Sequence, residues 1–216
     1  MRYLMLLFFL GLGFAVPTAA QAYPGCDDRQ ITLLKDALRG AKDLTLKAAV
    51  SVGDTPEYTR WFGTYSDDNA ERVRASLKSV MTVLRGGTVT AQCEPARSAK
   101  CANSEYAFVY PDAPYLIHFC QSYFRLPGVD ALRPDDRRSE NGTREGTIIH
   151  EVTHFMHVAA TEDHCYSRSL CSEMAMRHPR NAIDNADSYQ YFAEDVMFFA
   201  RQPVAGKPAI GAGVTR

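Results

Sequence analysis

The segment His150-Glu151-Val152-Thr153-His154 is an H-E-x-x-H motif, and it lies in a stretch, residues 146–160, that is predicted to form a helix. Residues four apart lie on the same face of a helix, so both imidazoles can point at one metal ion. Glu151 follows the first imidazole and is placed to take a proton from a water that the metal activates. The motif therefore predicts a zinc site with two histidine ligands and a glutamate base.

A catalytic zinc site needs a third protein ligand, and the residues after the motif offer several. The metzincin pattern would require Gly at position 157 and a ligand at position 160, but the chain has His157 and Ala160, which excludes that pattern. Other zinc proteases use a Glu on a later helix, and a short loop turning back from the motif helix could supply an Asp. The residues alone leave this choice open among Glu173, Asp163, His157 and His164.

The first residues have the marks of a secretory signal peptide. Met1-Arg2 is followed by an apolar run at 3–16 and by small residues up to Ala22, so residues 1–22 are predicted to be removed. Residues 23–201 are predicted to form a single domain, and residues 202–216, rich in Gly, Pro and Ala, a flexible tail. The apolar run is short for a membrane span. The protein is therefore expected to be secreted or periplasmic, without a stable membrane anchor after cleavage.

All six cysteines lie beyond the predicted signal peptide, and an even number in an exported chain indicates disulfide bonds. No C-x-x-C pair is present in the sequence, which argues against a zinc site built from thiolates. Sequence alone does not choose among the possible pairings. The cysteines are Cys26, Cys93, Cys101, Cys120, Cys165 and Cys171.

Apolar periodicity divides the chain into two halves. Residues 27–52 and 67–84 carry apolar side chains at helical spacing and predict two helices, joined by an aromatic turn at 58–63. The later half contains short β-branched or aromatic segments, a loop expected to be disordered, the motif helix and one further helix. The strands are predicted at 88–93, 106–110 and 115–120, the loop at 128–144 and the last helix at 186–201. The order predicts an α+β fold with N-terminal helices packed on a small, mostly antiparallel sheet.

The charge balance argues against a nucleic-acid partner. The formal net charge is −1, and the sequence has no polybasic stretch. A protein that binds nucleic acid needs a basic surface to neutralise phosphates. No nucleic-acid partner is therefore expected.

Two segments, residues 150–166 and 185–194, resemble the aspzincin metallopeptidases, above all the peptidyl-Lys metalloendopeptidase branch related to deuterolysin. Those enzymes combine H-E-x-x-H with an Asp in a Gly-Thr-x-Asp loop, a Tyr three residues later, and an Asn-Ala-Asp-Ser-x-x-Tyr-Phe-Ala-Glu segment. The matching residues here are Thr161-Glu162-Asp163, Tyr166 and Asn185-Ala186-Asp187-Ser188-Tyr189-Gln190-Tyr191-Phe192-Ala193-Glu194. The likeness also covers residues 58–63 and 106–124. It implies a zincin-like metallopeptidase domain.

The resemblance also implies roles for individual residues. His150, His154 and Asp163 would bind one catalytic zinc ion. Glu151 would be the general base, and Tyr166 would donate a hydrogen bond to the oxyanion of the tetrahedral intermediate.

Two further positions bear on substrate preference. Asp187 corresponds to the acid that, in those enzymes, meets a lysine on the C-terminal side of the scissile bond. Gln190 stands where the lysine-specific enzymes carry a Glu, which removes one of two negative charges from the pocket. The resemblance therefore implies a preference for basic residues that is weaker or broader than in the relatives. The Gly expected before Thr161 is Ala160, which constrains the loop backbone slightly.

The resemblance suggests the disulfides Cys26–Cys93 and Cys101–Cys120. Cys165 and Cys171 are then left to pair with each other, which would brace the loop between the metal ligand and the tyrosine. Because Cys26 follows the predicted cleavage site closely, no N-terminal inhibitory prodomain is expected. The protein is expected to be active on export or to be restrained by a separate inhibitor protein.

Together these features predict an exported zinc-dependent endopeptidase acting on protein or peptide substrates. Two alternatives stay open: an exported zinc amidase with one dedicated peptide or cell-wall substrate, and a non-catalytic zinc-binding interaction protein of the same fold. The intact Glu151 argues against the non-catalytic alternative, because a protein that turns over nothing is free to lose its general base.

Overall fold

The computed structural model describes residues 23–102, 105–134 and 136–200, so the predicted signal peptide and C-terminal tail lie outside the described part. Within that part the chain forms seven α-helices and three β-strands. None of these helices is long and apolar enough to span a membrane. In chain order the elements are α1 Asp28–Ser51, α2 Pro56–Phe62, α3 Asp67–Gly86, β1 Thr90–Cys93, β2 Ala107–Phe108, β3 Leu116–Phe119, α4 Arg144–His154, α5 Arg168–Arg177, α6 Pro179–Ile183 and α7 Ala186–Ala200.

The two long N-terminal helices are confirmed close to their predicted ends. A capping box between Asp27 and Gln30 starts α1, and the Ser66 side chain caps the N-terminus of α3. The C-cap of helix α3 is Gly87, which has a φ of 66° that glycine adopts without strain. Helix α1 packs against α3, α4 and α7. One apolar cluster joins these helices to the sheet, and it is this packing that holds the motif helix α4 in place.

The aromatic segment at 58–63 was predicted as a turn, and this prediction is wrong because the segment belongs to helix α2. Thr55 caps the helix by accepting a hydrogen bond from the Tyr58 backbone N–H. Tyr58, Trp61 and Phe62 recur at helical spacing and are all buried. Their rings meet aromatic rings of α7, so α2 is docked on the helix that follows the site.

The sheet has the strand order β1-β3-β2 and is mixed, so the prediction of a mostly antiparallel sheet is wrong. Strand β1 runs parallel to β3, with Thr90 opposite Leu116 and Cys93 opposite Phe119. The antiparallel pairing of β2 with β3 extends over only two residue pairs. Parallel neighbours need a long connection, and residues 94–115 between β1 and β3 provide one.

Helix α4 starts at Arg144 and ends at His154, several residues before the predicted end at position 160. Phe155 leaves the helix with a φ of −59° and a ψ of 130°, and its buried ring packs edge-on against Tyr115. The chain then turns back, and the Thr161 N–H donates to the carbonyl of Thr153 at 3.2 Å. This reversal is what returns the following residues to the two histidines.

The structure pairs Cys26 with Cys93, Cys101 with Cys120, and Cys165 with Cys171, which are the expected disulfides. The loop that was expected to be disordered contains two 3-10 turns over its described residues, Val129–Ala131 and Arg137–Ser139. Its hydrogen bonds to the N-terminal end of α4 explain this order, since the buried Glu145 carboxylate accepts from the Val129 N–H at 2.9 Å.

Candidate metal centre

Helix α4 and the loop after it bring three ligand atoms together. The Nε2 atoms of His150 and His154 are 3.1 Å apart, and Oδ1 of Asp163 lies 3.4 Å from each of them. A tetrahedral ion with bonds of about 2.0–2.1 Å separates its ligand atoms by about 3.3–3.4 Å. The triangle therefore has the size of one face of a zinc coordination tetrahedron, with the fourth position left for water or substrate.

The other candidates for the third ligand lie elsewhere. Glu173 pairs with Arg177 on the exposed face of α5. His164 points its Nε2 at Asp184, 3.3 Å from the carboxylate, and His157 is exposed beyond the end of α4. Among the described residues, the group with metal-binding geometry is His150, His154 and Asp163.

Both imidazoles are held in the orientation that metal binding requires. The Nδ1–H of His150 donates to Oδ1 of Asp187 at 2.7 Å, and the Nδ1–H of His154 donates to the Thr161 carbonyl at 2.8 Å. Because both acceptors are oxygens, the neutral form of each ring has its proton on Nδ1 and its lone pair on Nε2, the atom that faces the metal position. Burial alone would lower the pKa of His150, but the hydrogen bond and charge of Asp187 raise it to about 9. Zinc binding at neutral pH would therefore displace a proton from Nε2 of His150, and the more basic imidazole is the stronger metal ligand.

The loop that carries Asp163 is fixed by backbone contacts with the chain before α7. The Glu162 N–H donates to the Asp184 carbonyl at 2.8 Å, and the Asn185 side-chain oxygen accepts the backbone N–H groups of His164 and Cys165. Burial would raise the pKa of Asp163, but the hydrogen bond from His154 and the charges of both imidazoles lower it to about 2. The carboxylate is thus kept ionised, which is the form that binds a metal.

Glu151 lies on α4 between the two ligands and is 4% exposed. Burial raises the pKa of its carboxyl above the ordinary value, and the neighbouring His150 and His154 oppose this rise only in part. A raised pKa makes the carboxylate a better proton acceptor, as a general base that works on water requires.

Tyr166 follows the Asp163 loop and is 59% exposed, so its ring lies at the surface rather than in the core. Burial of the hydroxyl and the charge of Asp163, to which the hydroxyl hydrogen-bonds, raise the pKa of Tyr166 well above its ordinary value. The phenol therefore stays protonated and can donate a hydrogen bond to a developing negative charge.

Asp187 and Gln190, which were expected to meet the substrate, both point into the protein. Asp187 holds His150 with Oδ1, and its Oδ2 accepts the Ser167 N–H at 3.1 Å and the Tyr191 hydroxyl at 3.0 Å. Since Nδ1 and Nε2 lie on opposite edges of the imidazole, Asp187 is on the side of His150 that faces away from the metal position. Gln190 is 2% exposed, and its amide nitrogen lies 3.4 Å from the backbone oxygen of Asn141.

Sequence reasoning missed a buried charged cluster around Arg168, two residues after Tyr166 in the chain. Arg168, at the start of α5, binds Glu194 and Asp195 of α7 at 2.6 Å each. A signal was present in the sequence, because two adjacent acids interrupt an otherwise apolar segment and require a buried cation. Nothing in the sequence pairs them with Arg168 in particular.

Comparison with known proteins shows the family of the chain. The sequence model of the aspzincin family, described as "Lysine-specific metallo-endopeptidase", matches residues 47–194. The chain is 31% identical over 163 residues to an "Extracellular protease" of Aeromonas hydrophila, a match that covers 74% of this chain and 42% of the relative. It is 30% identical over 180 residues to a "Peptidyl-Lys metalloendopeptidase" of Pleurotus ostreatus, covering 80% of this chain and 96% of the relative. The chain thus spans less than half of the first relative and nearly all of the second.

A solved structure described as a zinc peptidase from Grifola frondosa superposes with a TM-score of 0.67. The match covers 79% of this chain and 97% of that one, at 22% sequence identity. At this identity the likeness shows a shared fold of helices and a small mixed sheet.

Proposed function

The chain belongs to the aspzincin family of lysine-specific metallo-endopeptidases, and we propose that it is a secreted or periplasmic zinc-dependent endopeptidase. It hydrolyses peptide bonds in protein or peptide substrates with one metal-activated water. The observation that carries this proposal is the triangle formed by Nε2 of His150, Nε2 of His154 and Oδ1 of Asp163, with buried Glu151 beside it.

A bound zinc ion supplies Lewis acidity, which polarises the peptide carbonyl and makes a water molecule easier to deprotonate. In the proposed reaction Glu151 takes the proton from the attacking water and later passes it to the leaving amine. The Tyr166 hydroxyl donates a hydrogen bond to the oxyanion of the tetrahedral intermediate, a charge that is absent from the substrate. Asp187 keeps the imidazole of His150 in its orientation throughout.

A cleavage map tests this proposal. Oxidised protein comprising residues 23–216 is mixed with a pool of unstructured peptides, with and without a chelator, and the cut sites are read by mass spectrometry. Chelator-sensitive cuts are the expected result. Protein that is shown to hold zinc and yet cuts no peptide would contradict a general endopeptidase and favour a dedicated substrate or a binding role.

The proposed preference is for a basic residue, lysine above all, on the C-terminal side of the scissile bond, weaker than in lysine-specific relatives. Support comes from the sequence, in which Asp187 and Gln190, one turn apart on α7, match the family pattern except for the neutral amide; both side chains are buried. The backbone of Gly142 packs directly against this amide: a Cβ added at position 142 would lie only 1.9 Å from the Gln190 side-chain nitrogen. The amide is thus covered by backbone, so the lost charge at position 190 would weaken selection of a cation through its electrostatic field and not through direct contact.

Changing Gln190→Glu is expected to raise the preference for lysine about tenfold, measured as the ratio of kcat/KM for matched peptides with Lys or Leu after the scissile bond. One added charge pair worth about 1.4 kcal/mol corresponds to this factor. The matched control is Gln190→Met, which removes the amide without adding charge and leaves the ratio within about twofold. A folded Gln190→Glu protein with an unchanged ratio would exclude position 190 from lysine selection.

Changing Asp187→Asn is expected to weaken zinc binding by about 10- to 100-fold, because the partner of a histidine ligand fixes its orientation and basicity. Competition with a fluorescent chelator measures the affinity. Asp184→Asn is the control, since the Asp184 side chain lies 3.3 Å from His164 and contacts no ligand. Equal zinc affinity of the Asp187→Asn variant and the parent would contradict the role assigned to Asp187.

A further inference from the structure

We propose that Arg168 is a positioning residue for the reaction, and that it acts by holding Tyr166 in place. The inference rests on the proposed endopeptidase function and adds a residue that neither the motif nor the family pattern includes. Arg168 is the first residue of α5 and comes two residues after Tyr166. Its side chain is 5% exposed, whereas Tyr166 lies at the surface with its hydroxyl hydrogen-bonded to Asp163.

The guanidinium of Arg168 is restrained through both of its terminal nitrogens, while its buried Nε has no hydrogen-bond partner among the described residues. Its Nη1 donates to Oδ1 of Asp195 and its Nη2 to Oε2 of Glu194, each at 2.6 Å. The Cζ atom of the group lies over the rings of Trp61 and Tyr191, 5.4 Å and 4.9 Å from their centres. A planar fork that binds two carboxylates and lies over two rings is a geometry available to arginine and not to lysine.

Stability alone gives no reason for this cluster. Both carboxylates are fully buried, and removing three charged groups from water costs free energy that their mutual attraction barely offsets. Burial raises the pKa of Glu194, even though Arg168 opposes the rise, which shows how strongly the site disfavours charge. Apolar side chains of equal size would fill the space at lower cost. The charged cluster adds a fixed position for the first turn of α5, and Glu194 also accepts hydrogen bonds from the N–H and the hydroxyl of Thr143 at the start of α4.

Ser167 is the single residue that links Arg168 to Tyr166, so a fixed Arg168 also fixes Tyr166. Ser167 has a φ of 77° and a ψ of 153°, a backbone conformation that side-chain-bearing residues rarely adopt. It persists because both neighbouring peptide groups are held, the Ser167 N–H by Asp187 at 3.1 Å and the Arg168 N–H by the Glu140 carbonyl at 3.0 Å. A strained link released at its Arg168 end would relax and carry the Tyr166 hydroxyl away from Asp163.

The cluster is also continuous with the metal ligands. Tyr191, whose ring lies under the guanidinium, donates its hydroxyl to Oδ2 of Asp187 at 3.0 Å. The same carboxylate holds Ser167 with Oδ2 and His150 with Oδ1. Asp187 therefore ties the loop that presents the oxyanion donor to the first zinc ligand.

The test is Arg168→Lys, which keeps the charge but loses the planar fork and the stacking. We expect kcat to fall about tenfold, because a small misplacement of a group that acts in the transition state costs rate rather than binding. KM is expected to change by less than about twofold, and zinc content to stay equal to that of the parent. The matched control is Arg60→Lys, since Arg60 contacts Asp195 at 3.5 Å but belongs to α2 and not to the loop. Its kcat is expected to stay within about twofold of the parent.

A double-mutant cycle with Tyr166→Phe separates positioning from a general loss of structure. If Arg168 acts through the Tyr166 hydroxyl, Arg168→Lys changes kcat by less than about twofold once that hydroxyl is gone. Full additivity of the two losses would overturn the proposal while leaving the endopeptidase function intact.

Hydrogen exchange tests the positioning without relying on catalysis. In Arg168→Lys the backbone amides of residues 166–169 are expected to exchange about tenfold faster, while those of α1 keep their rates. Unchanged exchange at residues 166–169 would overturn the positioning role. Failure of the zinc-loaded parent to cleave any peptide would instead overturn the proposed function, so the two failures are distinguishable.

Discussion

Replacing Glu151 by Gln is expected to lower kcat about 10³-fold while the protein keeps its zinc, because the amide cannot take a proton from water. Gln has the size of Glu and can keep a hydrogen bond to water, so the change removes basicity and little else. Steady-state cleavage of a fluorogenic peptide measures kcat, and metal analysis of the same sample measures zinc. KM is expected to change little, since Glu151 acts on the proton and not on substrate binding.

The same helix offers a matched control for this prediction. Glu145 is also buried on α4, and burial raises the pKa of its carboxyl as it does that of Glu151. Its carboxylate accepts the Val129 N–H and has no contact with the metal ligands. Glu145→Gln is therefore expected to change kcat by no more than a few-fold. A Glu151→Gln protein as active as the parent would show that another group is the base.

Replacing Asp163 by Ala is expected to reduce zinc affinity by more than about 100-fold. A loss of about 100-fold is the upper range when only the hydrogen-bond partner of a ligand is removed. The change removes one of three ligand atoms, and the two remaining imidazoles do not complete a catalytic site. Activity is expected to disappear together with the zinc. Chelator competition gives the affinity, and a titration with zinc during cleavage gives the activity.

Glu162→Ala is the control for the loop, because the Glu162 side chain is exposed and only its backbone pairs with Asn185. It is expected to keep parental zinc affinity. Retention of tight zinc binding by Asp163→Ala would mean that the third ligand is one of the other candidates, and Glu173, His157 and His164 would then be substituted in turn.

Much of this arrangement could be predicted from the sequence because its signals are local. Helices α1 and α3 follow from apolar spacing, caps and closing glycines, and the two histidines are placed together by the helix itself. The end of α4 could not be predicted, since residues 155–160 contain no Pro or Gly that would stop a helix. Burial of Phe155 and a φ of 50° at Ala160 end it instead, and both depend on the rest of the fold.

The sheet and the charged cluster depend on contacts between distant residues. Strand β2 has only Ala107 and Phe108 in ladder pairing, too little for periodicity to fix its direction or its partner. The position of Arg168 between Trp61 and Tyr191 arises from the packing of three helices. For the same reason the family resemblance implied a substrate contact for Asp187, and the sequence gave no sign of its hydrogen bond to His150.

The most direct test of the central claim, that one zinc ion on His150, His154 and Asp163 drives hydrolysis, is a reconstitution titration. Zinc-free protein is titrated with Zn²⁺, and the initial rate of peptide cleavage is recorded after each addition. The rate is expected to start near zero, rise linearly and stop rising at one zinc per chain. Full cleavage by the zinc-free protein, or a rate that keeps rising to two ions per chain, would contradict the account.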